Sequence, residues 1–367
     1  MTRDFETRDA RFWFVPRLTV PCPESITTHL NLQTIAMTYD QILSEIHKKN
    51  FAPVYFLTGE EPYFIDMISD TIENEALDEA DRAFNQIVLY GRDVDVETIA
   101  NHARSFPMMG ERMVVIVKEA QDVKDLESFE AYLDAIPETT LLVFAYKYKK
   151  FDKRKTLAKK IDKKGVWFES KKLYDSNIPG WIQNYLKGEG YSITPKAMQM
   201  LADYLGTDLH KIANELKKLT ITLPKNKSID DADVERNIGI SKDFNVFELQ
   251  NAVGSRDVLK ANRIVNYFGD GKDNPLFLTA ISLYGYFTKI LKLHFAADKS
   301  QGALASVLGV SPFFVKDYQM AARNYPPQIC MRNISILREF DLKSKGYESG
   351  EVSEKDLYRE MIFKLMH

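Results

Sequence analysis

The sequence predicts an α/β domain built on a parallel sheet, followed by helical domains. Three observations predict this. Short apolar runs alternate with helical periodicities between residues 53 and 168, which is the pattern of βαβ units. The strongest run, residues 113–117, is continuously apolar and rich in β-branched residues, as in a strand covered on both faces. After Trp167 only helical periodicities remain.

The predicted elements follow in chain order. The strands are predicted at residues 54–57, 87–90, 113–117, 140–145 and 166–168. Apolar residues at helical spacing predict helices at residues 64–76, 96–103, 126–136, 178–188, 195–205 and 208–219. Four or more further helices are predicted between residues 244 and 367.

This order of elements divides the chain into domains. We expect the α/β domain at residues 37–174, a small helical domain at 175–240 and a larger helical domain at 241–367. Residues 1–36 show no clear period. Two interpretations of them stay open: a disordered extension, or a stretch that precedes a biological start at Met37.

Composition excludes several classes of protein. The 367 residues carry a net charge of −3, so bulk charge does not drive binding to a polyanion. The two cysteines, Cys22 and Cys330, are too few for a disulfide framework or a four-thiolate zinc site. We found no apolar run of the roughly 20 residues that span a bilayer, and no apolar signal-peptide core. A cytoplasmic protein is therefore expected.

The first predicted strand ends where P-loop proteins hold phosphate, in the pattern G-x-x-x-x-G-K-[ST]. Only Gly59 survives from that pattern. The second glycine, the lysine and the magnesium-binding hydroxyl are replaced by Phe64, Ile65 and Asp66. A Walker B strand ends in Asp-Glu, but here strand 113–117 continues into Lys118-Glu119, a poor magnesium site.

Charge also disfavours a bound triphosphate at this position. Residues 60–81 contain nine carboxylates and no lysine or arginine, so an incoming phosphate would meet like charge at the start of the helix. The alternative is that these carboxylates only cap and solubilise a helix. Both interpretations disfavour an active NTPase.

Residues 55–66 resemble the degenerate P-loop of the delta subunit family of the bacterial DNA polymerase III clamp loader. Other stretches are similar to its sensor-2 helix, the start of its collar domain and its last helices: residues 205–219, 247–249 with 274–276, and 308–315 with 340–346. The resemblance implies a degenerate AAA+ (P-loop-like) α/β domain, a small helical lid and a helical collar. His210 matches the sensor-2 arginine of catalytic AAA+ proteins, which histidine does not replace on a phosphate.

The resemblance also implies a function. A delta subunit binds the sliding clamp and opens it for loading onto primed DNA, with no ATPase activity of its own and no cofactor. Its implied partners are ATPase subunits and delta-prime in a hetero-pentamer, with primed DNA reached through the complex and no membrane. Such a subunit is grouped with the DNA-directed DNA polymerases, which are nucleotidyltransferases, although no intrinsic catalysis is expected.

Two alternatives to this function stay open. One is a divergent P-loop NTPase. The other is a sister clamp-loader subunit, which the sequence favours less. Sister subunits use a Ser-Arg-Cys tripeptide, which is absent here, and commonly carry a four-cysteine zinc module, which two cysteines cannot form.

In the family, two adjacent apolar side chains grip the clamp just before a sheet strand. The matching positions are Met108 and Met109, flanked by Phe106, Pro107 and Gly110. Methionine is flexible and polarisable, which suits an adaptable contact surface. The alternative is that both methionines begin the core of the following strand.

Residues 147–164 contain ten basic side chains against Asp152 and Asp162. Such a run can lie near DNA phosphates, where its contacts would be salt-dependent and independent of base sequence. The residues predicted to face DNA are Lys153, Arg154, Lys155, Lys159 and Lys160. The alternative is a solvated helix face.

The histidines show no partner for catalysis or metal binding. His102, His210 and His294 have no Ser or Cys at nucleophilic spacing, and no H-E-x-x-H pattern occurs. A structural or surface role is expected for each.

Overall fold

The computed structural model describes residues 37–108, 110–271, 274–347 and 352–367. Its centre is a sheet of five parallel strands in the order β2-β3-β4-β1-β5. The strands are β1 (Val54–Gly59), β2 (Gln86–Tyr90), β3 (Met113–Lys118), β4 (Thr140–Tyr146) and β5 (Val166–Ser170). The parallel α/β class predicted from the sequence is confirmed, and each predicted strand is present to within a few residues.

Helices cover both faces of this sheet, which explains why the central strands are apolar throughout. The helices of this part are α1 (Tyr39–His47), α2 (Pro62–Glu75), α3 (Glu79–Asn85), α4 (Val96–Ala103) and α5 (Thr156–Lys164). Helices α1 and α2 pack on one face and share a core with Tyr55, Leu57 and Val114. Helices α4 and α5 pack on the other face around Phe56, Val115 and Phe144.

One predicted helix takes a different form. The stretch 126–136 folds as two short 3-10 helices, Leu126–Ala131 and Leu133–Ala135. Asp125 precedes them in the left-handed region with φ 51° and gives no side-chain cap. The apolar spacing is still used, because Leu126, Phe129 and Leu133 all enter the core. Three-residue spacing suits a 3-10 turn as well as an α-helix.

A second core lies beyond the sheet. It contains α6 (Ile178–Gly188), α7 (Pro195–Leu205), α8 (Leu209–Thr222) and α9 (Asp231–Ile238). Two strands that the sequence did not predict, β6 (Ser192–Ile193) and β7 (Ser228–Ile229), pair in parallel beside these helices. Tyr63 of α2 belongs to this second core. The helices α6 to α9 therefore pack directly against the start of α2.

The third core is entirely helical. It contains α10 (Val246–Gly254), α11 (Val258–Asp270), α12 (Leu276–Phe295), α13 (Gln301–Leu308), α14 (Val315–Asn324), α15 (Pro327–Ser344) and α16 (Glu354–Met366). Helix α12 packs along α15, and α11 packs along α16. The bounds predicted for the three domains and for the extension at residues 1–36 stay a prediction.

Among the described residues, α12 is the helix whose length and composition would allow it to cross a membrane, whereas the sequence predicts no apolar run of about 20 residues. Leu283, Phe287 and Ile290 of this helix are fully buried in the third core.

Candidate functional site

The backbone at the end of β1 is closed rather than open to a phosphate. Gly59 has φ +136°, and a Cβ there would lie 2.1 Å from the carbonyl oxygen of Ser170, so only glycine suits this position. The N–H of Gly59 donates to the carbonyl of Lys149 at 3.2 Å, and the N–H of Glu60 donates to that of Ser170 at 3.3 Å. These two donors are no longer available for a ligand.

The start of α2 uses its remaining groups in the same way. The Glu61 side chain caps the helix and accepts the N–H of Tyr63 at 3.2 Å. Pro62 occupies the first helical position and has no N–H to offer. Ile65 is fully buried and packs against the sheet. The N-terminus of α2, where an anion could otherwise bind, is therefore occupied by the Glu61 carboxylate.

Asp66 is the centre of a group of four ionisable side chains, which we call the Asp66 cluster: Asp66, Lys147, Glu119 and His210. Asp66 Oδ1 lies 2.9 Å from Lys147 Nζ, and Asp66 Oδ2 lies 3.2 Å from His210 Nε2. Lys147 Nζ also contacts Glu119 Oε1 at 2.5 Å. The cluster joins α2, the loops that follow β3 and β4, and the first turn of α8.

Lys147 is the most enclosed member of the Asp66 cluster, with a side chain only 10% exposed. Burial by itself lowers the pKa of this lysine, but hydrogen bonds to Glu119 and Asp66 outweigh burial and raise it. Burial raises the pKa of Glu119, and its hydrogen bonds to Lys147 and Gln121 outweigh that effect and lower it. Each group thus holds its partner in the charged state.

The lysine at the Walker B position also has carboxylate partners. Lys118 Nζ lies 3.1 Å from Asp70 Oδ1 and 2.7 Å from Glu73 Oε2, both on α2. Burial lowers the pKa of Lys118, whereas hydrogen bonds to Glu73 and Asp70 raise it, with a net increase. Two of the carboxylates that make α2 acidic, Asp70 and Glu73, therefore pair with the lysine that stands in place of the metal-binding acid of a Walker B strand.

A second candidate site lies at the turn between α4 and β3. Phe106 is 74% exposed and Met108 is 62% exposed, although both are large apolar side chains. Asn85, fully buried at the end of α3, accepts the Met108 N–H at 2.6 Å and donates to the Met108 carbonyl at 3.1 Å. Met109 lies outside the described residues. Met108 is not part of the sheet core, since β3 begins at Met113.

Comparison with known proteins decides the family. The sequence model for "DNA polymerase III, delta subunit" matches residues 55–171. The model for "DNA polymerase III delta subunit, C-terminal domain" matches residues 243–364, so the two together cover more than half of the chain. The chain belongs to the DNA polymerase III delta subunit family. This confirms the resemblance and the predicted role in DNA replication, and it favours that role over both alternatives.

Two relatives from Bacillus subtilis are similar along most of this delta-family chain. The DNA polymerase III subunit delta of strain 168 is 27% identical over 321 residues, which are 84% of this chain and 92% of that protein. The solved structure of the Bacillus subtilis DNA clamp loader delta protein has a TM-score of 0.53 at 24% identity. It covers 90% of this chain and 99% of its own, and it supports the fold.

The basic run of this delta-family chain is largely paired with its own carboxylates. Lys153 contacts Glu169, Arg154 contacts Asp152 and Lys155 contacts Glu127. Lys160 contacts Glu130 and Asp134, whereas Lys159 is exposed on α5. Solvent-exposed pairs of this kind contribute little to the stability of the fold. These ion pairs lie on a solvated surface. A contact between this surface and DNA stays a prediction.

Sequence reasoning found some of these residues and missed others. It placed Asp66, Glu119 and His210 at the degenerate nucleotide site, and the structure brings all three together. It counted Lys147 only as part of the basic run and did not single out Asn85. No group of His, Cys, Asp and Glu that could hold a metal ion occurs within the described part of the chain.

Proposed function

We propose that this chain is the subunit that binds the sliding clamp and opens it for loading onto primed DNA, in the cytoplasm and without hydrolysing ATP itself. The turn at Phe106 and Met108 is the clamp contact. The observation that carries the proposal is the exposure of these two apolar side chains on a turn whose backbone is fixed by Asn85.

The size of the apolar contact is sufficient for a transient interface. Burying one side chain such as Phe106 or Met108 contributes about 1.5–3 kcal/mol. Part of this gain offsets the loss of translational and rotational freedom on association. A turn that is already ordered loses less conformational entropy on binding. The hydrogen bonds between Asn85 and Met108 therefore support the assignment of this turn as the clamp contact. Pro107 further restricts the backbone between the two side chains.

The degenerate nucleotide site supports the absence of ATP hydrolysis. A triphosphate at this site would have to displace Lys149 and Ser170 from the backbone donors of residues 59 and 60. It would also meet Glu61, Asp66 and Glu119 without a P-loop lysine, since Ile65 stands in that position. The ammonium of Lys147 lies at this site, but it is held between Asp66 and Glu119.

We further propose that the chain works within a hetero-pentamer with ATPase subunits and a delta-prime subunit. The third core carries exposed apolar side chains on two neighbouring helices, including Ile281 and Tyr284 of α12 and Met331 of α15. These line a groove of about 540 Å³. An apolar surface of this kind suits contact with a neighbouring subunit.

The decisive experiment measures binding of the purified chain to its own sliding clamp without nucleotide. We expect the unmodified chain to bind, and Met108→Ala to weaken the affinity at least about tenfold, because about 1.4 kcal/mol corresponds to tenfold. Met320→Ala is the matched control, since Met320 is 43% exposed on α14. Equal affinity of the Met108→Ala and Met320→Ala variants would remove the turn as the clamp contact.

Calorimetry with Mg-ATP tests the other half of the proposal. We expect no saturable heat with the isolated chain up to millimolar ATP. Saturable binding with magnesium dependence would instead support the divergent P-loop NTPase.

A further inference from the structure

The end of α3 carries a fully buried polar side chain that the degenerate nucleotide site does not use. Asn85 is 0% exposed, and both ends of its amide are bonded to one residue that lies 23 positions later. Its Oδ1 accepts the Met108 N–H at 2.6 Å, and its Nδ2 donates to the Met108 carbonyl at 3.1 Å. The Asn85 side chain thus forms the two backbone hydrogen bonds that a neighbouring strand would otherwise make with Met108.

The sheet explains why Asn85 reaches this turn. Gln86, the next residue, begins β2 and pairs with Val114 of β3. The chain segments that precede these two residues therefore lie side by side: Asn85, the last residue of α3, and the turn that leads into Met113. Helix α3 is held in place by Arg82, whose guanidinium donates to the carbonyls of Leu77 and Asn74.

Gly110 completes the arrangement on the far side of the turn. A Cβ on Gly110 would lie 2.6 Å from Asn85 Nδ2, closer than any real Cβ contact allows. The amide of Asn85 therefore occupies the space that a side chain at position 110 would need. The turn and the buried amide are complementary in both hydrogen bonding and shape.

We propose that Asn85 is a positioning residue for clamp binding. It holds the backbone of Met108 so that the exposed side chain of this methionine is presented in one orientation. The inference rests on the proposed function, in which Met108 contacts the clamp. Asn85 is buried and does not touch the clamp; it acts through Met108 by reducing the ordering that binding would otherwise require.

The test measures clamp affinity of four variants of the full chain: Asn85→Ala, Met108→Ala, the double variant, and Asn333→Ala. Asn333 is the matched control, because it is also 0% exposed and donates to the Leu365 carbonyl at 2.9 Å in the third core. We expect Asn85→Ala to weaken clamp binding about five- to tenfold, in line with the cost of ordering a side chain on binding. Asn333→Ala is expected to leave clamp affinity unchanged.

The double variant separates positioning from a general loss of structure. If Asn85 acts through Met108, then Asn85→Ala has little further effect once Met108 is alanine, and the two changes are non-additive. Hydrogen exchange supplies an independent readout, with faster exchange of the Met108 amide in Asn85→Ala and no change on α12. Urea unfolding of each variant shows that the chain remains folded.

A second variant covers the case in which Asn85→Ala does not fold. Gly110→Ala keeps the amide but displaces it, and the same loss of affinity is expected. The inference is overturned if Met108→Ala weakens binding while Asn85→Ala and Gly110→Ala do not, or if the effects of Asn85 and Met108 add. If Met108→Ala itself has no effect, the assignment of the clamp contact fails instead.

Discussion

The Asp66 carboxylate lies 2.9 Å from the ammonium of Lys147, although 81 positions separate them in the chain. Asp66 stands where a P-loop protein has its magnesium-binding hydroxyl, and Lys147 follows β4. The ammonium of Lys147 thus meets the Asp66 carboxylate at the position where the P-loop pattern places magnesium and phosphate. His210 extends the contact to α8, so the Asp66 cluster connects the sheet with the second core.

Replacing Lys147 by methionine should destabilise the chain by about 1–3 kcal/mol, because it leaves Asp66 and Glu119 side by side without a cation. The full cost of breaking a buried pair is not expected, since both carboxylates are 28% exposed. Urea unfolding measures the change. Lys153→Met is the matched control, because Lys153 is 57% exposed beside Glu169, and a change under about 1 kcal/mol is expected there.

The pH dependence of stability provides a second measurement on the Asp66 cluster. The pKa of Glu119 is lowered in the folded chain, from a usual value of 4.5. Its ionised form therefore stabilises the fold above about pH 4.5, and this contribution is lost as the pH falls through the lowered folded-state value. In Lys147→Met the contribution is reduced, so stability should fall less steeply between pH 5 and pH 3. Parallel curves for the two proteins would contradict the ion pair.

The strands were predictable because burial on both faces leaves a direct trace in the sequence. Residues 113–117 are apolar at every position, and β3 is buried at each of them. The 3-10 form of residues 126–131 was not predictable, because the apolar spacing of 126 and 129 suits both helix types. The two-residue strands β6 and β7 are too short to show a period.

The residue types at the candidate sites were predictable from the sequence, but the contacts between their side chains were not. The loss of the P-loop residues at positions 64–66 is visible in the sequence. The identity of the cation that neutralises Asp66 is not, because it depends on how β4 and β1 are aligned in the sheet. Asn85 gives still less signal, since an asparagine at a helix end usually indicates a turn or cap. The register of β2 with β3 sets its contact with Met108.

Cys330 should be unreactive in the folded chain. It is fully buried, its Sγ donates to the Tyr325 carbonyl at 3.2 Å, and burial raises the pKa of its thiol to about 11. At pH 8 the thiolate, which is the reactive form, is therefore only about one part in a thousand. In a Cys22→Ser variant, where Cys330 is the remaining cysteine, a thiol reagent should react only as fast as the third core opens. Rapid labelling of the native variant would contradict the burial of Cys330.

Restoring an acid at the Walker B position should weaken the protein rather than create a magnesium site. Lys118→Asp would bring a third carboxylate towards Asp70 and Glu73, which now share the lysine. We expect a loss of about 2–3 kcal/mol in urea unfolding, from the lost pairs and the added like-charge repulsion, with no gain in Mg-ATP binding by calorimetry. Lys118→Met removes the pairs without adding charge and should cost about 1 kcal/mol. Because salt screens repulsion, the difference between the two variants should shrink in 0.5 M NaCl; a difference that is unaffected by salt would exclude electrostatic repulsion as its cause.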